Sequence, residues 1–224
     1  MIGGGVMKKI YLLIIIILLI IFGCNKNVDY IIIKGERYST SLDELYLSYM
    51  DLQNKDIVPL KYMTNLEFLH LSGNKITDIT PISDLTTLTE LRFNFSSIND
   101  ITPLHNLTNL FELWLFHNRI DDITPLSNLT DLIDLQLDSN KIHNIEPLSN
   151  LTNLTILHLH YNQINDITPL SNLTNLVELN LSFNEISDIT PLSGLTNLTY
   201  LNLTNNPITD WSPVAHVPTV IGRP

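Results

Sequence analysis

The sequence predicts an α/β solenoid of stacked 22-residue coils, with a parallel β-sheet along one face and short 3₁₀ or irregular turns along the other. Three observations predict it. Pro59, Pro81, Pro103, Pro125, Pro147, Pro169, Pro191 and Pro213 follow one another at intervals of 22, with no insertion or deletion. Runs of Leu-x-x-Leu-x-Leu or Leu-x-x-Leu-x-Phe keep the same register from Leu66, Leu88, Leu110, Leu132, Leu154, Leu176 and Leu198. Asparagines at 74, 118, 140, 162, 184 and 206 recur in phase with both. Self-similarity at such a period marks units that bury a core only by stacking on their neighbours.

In chain order the first element, residues 1–23, reads as a signal peptide. Met7-Lys8-Lys9 precedes an unbroken apolar run of 13 residues, Ile10 to Phe22, and then Gly23-Cys24-Asn25. A positive start, a short apolar run and a small residue before a cut describe a secretory leader. A bilayer-spanning helix needs about 20 apolar residues, so a retained transmembrane anchor is the alternative that fits less well. Ile21-Phe22-Gly23-Cys24 resembles the lipobox of bacterial lipoproteins, although Phe22 stands where a small residue is usual. That resemblance implies acylation of Cys24, the only cysteine of the chain, and tethering on the extracellular side of a bacterial cell membrane. The Gly3-Gly4-Gly5 run is foreign to a leader and suggests that synthesis starts at Met7. Cleavage before Cys24 removes Lys8 and Lys9 and changes the formal charge from −11 to −13.

Residues 24–41 form an anchor and linker, in which Val28 to Lys34 reads as an edge strand leading into the first coil. Residues 42–214 make about eight coils, the first atypical, with two extra residues before Asp56-Ile57-Val58-Pro59-Leu60. Residues 215–224 form a short tail and a thin far cap, and Trp211 replaces a repeat Ile to close the last coil.

Within a coil, Leu135-x-Leu137 alternates at period two, which predicts a short strand with its leucines inward. Asn140 turns the chain, and its amide can satisfy backbone groups of neighbouring coils that are otherwise buried and unpaired. Ser96 interrupts this ladder and predicts a weaker turn. Thr124-Pro125 has the form of an N-cap followed by Pro at the first helical position, which predicts a short helical turn on the outer side. The aspartates at 78, 100, 122, 166, 188 and 210 repeat in the same register, which assigns them local hydrogen bonds to turns.

The unit Asn184-Glu185-Ile186-Ser187-Asp188-Ile189-Thr190-Pro191-Leu192 resembles the leucine-rich repeat of bacterial internalins. The resemblance covers residues from about 42 to 214. It implies a right-handed solenoid with the parallel sheet on its concave side. No helical cap before the repeats, immunoglobulin-like domain after them or wall-sorting signal is evident, so host-cell invasion is not implied.

Charge and composition exclude several functions. With 12 basic against 23 acidic residues the chain lacks the positive footprint of a nucleic-acid binder. No nucleophile and base stand apart from the repeat, and no phosphate-binding glycine loop is present, so an enzyme is not expected. No cofactor is expected either.

Function is therefore sought on the concave face. Between and after the core leucines run ladders whose equivalent positions lie about 4.8 Å apart from coil to coil. The middle ladder includes His70, Arg92, Trp114, Gln136 and His158; the next includes Phe116, Asp138 and His160; the preceding one includes Phe68, Glu90, Glu112, Asp134 and Glu178. Trp114 and Phe116 together predict a binding hot spot, with Phe68, Phe95, Tyr161 and Phe183 around it. Phe95, Tyr161 and Phe183 serve equally well as rings stacked at the sheet edge. His158, His160 and Asp138 have the types to bind a metal, but ordinary ligand contacts explain them, and no metal is expected. The site is thus Trp114, Phe116, Arg92, Glu112, Gln136, Asp138, His158, His160, Phe68 and His70, with Cys24 for lipidation. The expected function is a monomeric, lipid-anchored surface protein that binds a protein partner on this face; a glycan or cell-wall polymer stacked on the same aromatics is the alternative.

Overall fold

A computed structural model of the chain describes residues 29–224. The leader, the lipobox and Cys24 lie outside the described residues. Nine short strands form one parallel sheet: β3 (Glu44–Tyr46), β4 (Phe68–His70), β5 (Glu90–Arg92), β6 (Glu112–Trp114), β7 (Asp134–Gln136), β8 (Ile156–His158), β9 (Glu178–Asn180), β10 (Tyr200–Asn202) and β11 (Thr219–Ile221). Strand order follows chain order from β3 to β11. Leu91 faces Leu113, Leu113 faces Leu135 and Leu135 faces Leu157, so each coil repeats its predecessor without slippage. No other register keeps every repeat leucine inward, because a shift of one residue would turn the whole strand over.

The core is one continuous column. Leu135, Leu137, Ile142, Leu148, Leu151 and Leu154 are fully buried, and their counterparts in neighbouring coils are too. Phe93 takes a leucine position and fits with no exposed surface. On the far side each coil returns through a 3₁₀ turn at its proline, among them Thr80–Ile82, Thr102–Leu104, Thr124–Leu126 and Thr168–Leu170.

The asparagine ladder performs the expected task. Asn140 Nδ2 donates to the carbonyls of Leu115 and Leu137, each at 3.0 Å, and its Oδ1 accepts from the Ile120 N–H at 3.0 Å. One amide thus joins two coils and closes its own turn. At position 96 the serine hydroxyl reaches only the Asn74 carbonyl, at 3.5 Å, and Ile76 N–H lacks the side-chain acceptor its equivalents have.

Three expectations need correction. The outer turns are not capped by threonine: Thr124 is already inside its turn, and the Asp122 carboxylate accepts its N–H at 2.8 Å. The aspartate two residues before the proline–threonine step is the polar group that starts each turn, with Asn144 taking the part in one coil. The strand near Val28–Lys34 is not an edge of the main sheet. β1 (Tyr30–Ile33) folds back on β2 (Glu36–Ser39) as an antiparallel hairpin whose Ile31 and Ile33 join the core. Lys34 and Gly35 make the turn, both at positive φ. The segment after 214 is not a simple tail, because Thr219–Ile221 pairs with β10 as a ninth strand. Trp211 packs against the core beneath it.

Candidate ligand-binding face

The strands are three residues long, and the residues on either side of the central leucine point outward, so the concave surface is written by the ladders through Phe68, His70 and Ser72 and their equivalents. Among the described residues these ladders hold six carboxylates and one guanidinium. The single cation, Arg92, sits at the centre of a network. Its guanidinium lies over the Trp114 ring, 3.6 Å from the centroid. Its Nε is 2.6 Å from Glu90 Oε1, as an ion pair without the alignment of a hydrogen bond. A terminal nitrogen donates to Glu112 Oε2 at 3.4 Å. Glu90 is buried, and its Oε1 also meets His70 Nε2 at 2.6 Å.

Trp114 is held from the other side as well. Its Nε1–H donates to Asp134 Oδ2 at 3.3 Å, and Gln136 Nε2 donates to the same carboxylate. Burial raises the Asp134 carboxyl above the ordinary carboxylate range, although these hydrogen bonds oppose that shift. Phe116 lies 6.4 Å from Trp114, centroid to centroid, and meets Phe95 edge-on at 5.2 Å. The structure therefore joins His70, Arg92, Glu112, Trp114 and Gln136 in one polar network, with Phe116 on its aromatic margin. Trp114 is less free than its ladder position suggests, since one face is covered and its indole N–H is spoken for. Phe68 stands apart, half-buried and without a ring contact to this cluster.

A second cluster spans the coils of β7, β8 and β9. His158 Nε2 meets Glu178 Oε1 at 2.9 Å, and His160 Nε2 lies 3.6 Å from Asp138 Oδ2. Burial raises the Asp138 carboxyl and lowers the neighbouring His160 imidazole, so both lean toward their neutral forms. Among the described residues no three His, Cys, Asp or Glu side chains converge to hold a metal ion.

The rings after the ladders pair along the solenoid. Tyr161 stacks on Phe183 at 4.1 Å and Phe95 on His117 at 4.7 Å, both near-parallel. All four have positive φ, between 51° and 55°, which is costly for a bulky residue. Phe95, Tyr161 and Phe183 also stay well exposed.

One surface escaped the strand-based reading. One place before the strands, Phe111, Ile133 and Val177 put apolar side chains on the flank, with Thr155 between Ile133 and Val177. Ile133 and Val177 are among the exposed large hydrophobics, and a shallow groove of about 560 Å³ runs beside Phe111 and Ile133. Its signal in the sequence is a Phe, an Ile and a Val at one period-22 position outside the core.

Comparison with known proteins places this geometry. The model of the family "Leucine Rich repeats (2 copies)" matches residues 64–106, 108–150, 130–172 and 174–216. No curated protein sequence matches. Among solved structures, the chain is similar to an internalin (inlF) of Listeria monocytogenes, with 36% identity and a TM-score of 0.76. That match covers 83% of this chain and 63% of the other, so this chain spans less than two thirds of that relative. It is similar to internalin C2 (inlC2) of the same organism, again with 36% identity, over 83% of this chain and 84% of that one, at a TM-score of 0.78. The functional domain of InlJ from Listeria monocytogenes shares the fold at 23% identity and a TM-score of 0.64, over 81% of this chain and 44% of that one. With repeats matched across most of its length and 84% of an internalin covered at 36% identity, the chain belongs to the leucine-rich-repeat family, as a bacterial protein of the internalin type.

Proposed function

We propose that this protein is a lipid-anchored, monomeric cell-surface binder that holds a protein partner on its concave face, and that it catalyses no reaction. Leucine-rich repeats of this type are protein-interaction scaffolds. The observation that carries the reading is the ordered, half-buried Trp114, fixed by Arg92 at 3.6 Å and Asp134 at 3.3 Å. A ring immobilised before binding loses little entropy on contact, which is what a hot spot requires. Phe116 extends the apolar patch, His70 and Gln136 brace it, and Phe68 provides a further apolar contact along the sheet. Asp138, His158 and His160 form the polar continuation.

The carboxylates favour a protein over a glycan. Glu112 lies partly exposed beside the aromatic patch and Glu178 partly exposed three strands farther along the same ladder, and both match lysine or arginine on a partner. Anchoring would come from Cys24, through the lipobox resemblance. The test is capture of surface proteins on the immobilised protein, alongside a glycan array. A saturable protein partner whose binding weakens as salt rises supports the reading. Binding only to polysaccharide would replace it with the glycan alternative.

A further inference from the structure

We infer that the outward face of the β1–β2 hairpin rests on the membrane surface, docking on anionic phospholipid headgroups beside the acylated Cys24 and so fixing how the solenoid stands on the cell. The inference rests on the anchoring proposed above, and adds to it a second, non-covalent contact.

The hairpin has two unlike faces. Ile31 and Ile33 point into the core and are buried. Directly paired residues of an antiparallel ladder share a face. The register Tyr30↔Ser39 and Ile32↔Arg37 therefore sets Tyr30, Ile32, Arg37 and Ser39 together on the outside. Tyr30 is 43% and Ile32 51% exposed. The Arg37 guanidinium lies over the Tyr30 ring, 4.5 Å from its centroid. The one acidic residue of the two strands, Glu36, pairs with Ile33 and belongs to the other face. In a chain whose formal charge is −13 once cleaved before Cys24, this is a patch with a cation, an aromatic, an aliphatic and no carboxylate.

The occupant follows from chemistry and reach. Tyrosine and arginine are the side chains that suit the boundary between headgroups and water, with an apolar body and a polar end. An arginine meets phosphate with a fork of donors. Tyr30 lies six positions after Cys24, a span of at most about 20 Å when fully extended. An acyl chain on Cys24 therefore holds this face within reach of the headgroups.

The protein as acylated in a bacterial host can report this directly. Cys24 is the only cysteine, so once it is acylated a Ser39→Cys change supplies the one free thiol, on the outward face. A Thr209→Cys protein, labelled on an exposed residue near the other end of the solenoid, is the control. Each is labelled with a fluorophore and reconstituted into phosphatidylglycerol-containing vesicles that carry a lipid-borne quencher. The expected result is quenching several-fold stronger at 39 than at 209, reduced to the control level by Ile32→Asp with Arg37→Glu. Those two side chains are exposed, so the pair leaves the core intact. Equal quenching at 39 and 209 in a protein shown by mass to be acylated overturns the docking alone. A chain that carries no acyl group and stays in solution overturns both the docking and the anchor. Equal quenching at 39 in vesicles of neutral lipid only and in anionic vesicles would overturn the headgroup assignment.

Discussion

The Arg92 guanidinium lies 3.6 Å above the Trp114 ring and is at the same time the only cation among the six carboxylates of the concave ladders. One residue thus serves two structural ends, covering the indole and neutralising the buried Glu90. Replacing Arg92 by Met keeps an apolar stem over the ring but leaves Glu90 with His70 as its remaining partner. We expect a loss of about 1–3 kcal/mol in urea unfolding, because a buried carboxylate stripped of its cation is costly. Adding Glu90→Gln should restore most of that loss. A single Arg92→Met as stable as the parent would show that the network is ornamental to the fold.

Position 96 offers a test of the amide ladder. Asn162 makes two buried donor contacts, to Leu137 and Leu159, and accepts from the Ile142 N–H. Asn162→Ala should cost about 1–3 kcal/mol, since the Ile142 N–H is left without an acceptor in the interior while the Leu137 and Leu159 carbonyls each keep one donor, Asn140 and Asn184. Ser96→Asn should have the opposite sign, adding about 1 kcal/mol by supplying the acceptor that Ile76 N–H lacks. Thermal melts of the two variants decide it. A destabilising Ser96→Asn would mean that the local backbone cannot accept the amide.

Acid should loosen the outer turns. The carboxyls of Asp78, Asp100, Asp122, Asp166 and Asp188 are held below the ordinary range, chiefly by the hydroxyl and N–H of the threonine two residues on. A depressed carboxyl contributes stability that is present above its unfolded value and vanishes as pH falls through the folded one. The loss should therefore set in below about pH 4. Asp134 and Asp138 are shifted upward and work against it, gaining on protonation. Asn144 already fills this turn position without charge, its Oδ1 accepting the Glu146 N–H at 2.9 Å. Replacing Asp100, Asp122, Asp166 and Asp188 by Asn should keep the fold at neutral pH and flatten the acid limb of stability against pH. An unchanged acid limb would locate the acid sensitivity elsewhere.

Much of this was legible in the sequence because repetition multiplies weak signals. One Leu-x-Leu is ambiguous, but seven in phase with eight prolines and an asparagine ladder leave a single stacking register. The ends were harder because they repeat nothing. The hairpin of Ile31 and Ile33 alternates like an edge strand, and only the turn at Lys34-Gly35 shows that it folds back on itself. Thr219–Ile221 has too few residues to announce a strand and is recruited by the open edge of β10. For the site, ladders placed Trp114, Arg92 and Phe116 on one face. They did not reveal that Arg92 covers Trp114, since that depends on side-chain rotamers chosen by Glu90 and Glu112. Thr-Pro suggests a threonine cap, but the N–H groups such a cap would hold, those of Leu126 and Ser127, go to the Ile123 and Thr124 carbonyls, and the aspartate two residues earlier takes the threonine's own N–H.

The most direct test of the central claim is the affinity of a captured protein partner for Trp114→Ala with Phe116→Ala, measured beside the parent. Urea unfolding of the same variant confirms that the column of core leucines persists. The affinity should fall by at least about tenfold to a hundredfold, since truncating aromatics at the centre of an interface typically removes more than 2 kcal/mol. An affinity unchanged from the parent, in a variant that remains folded, would contradict the claim and move the binding surface off the concave face.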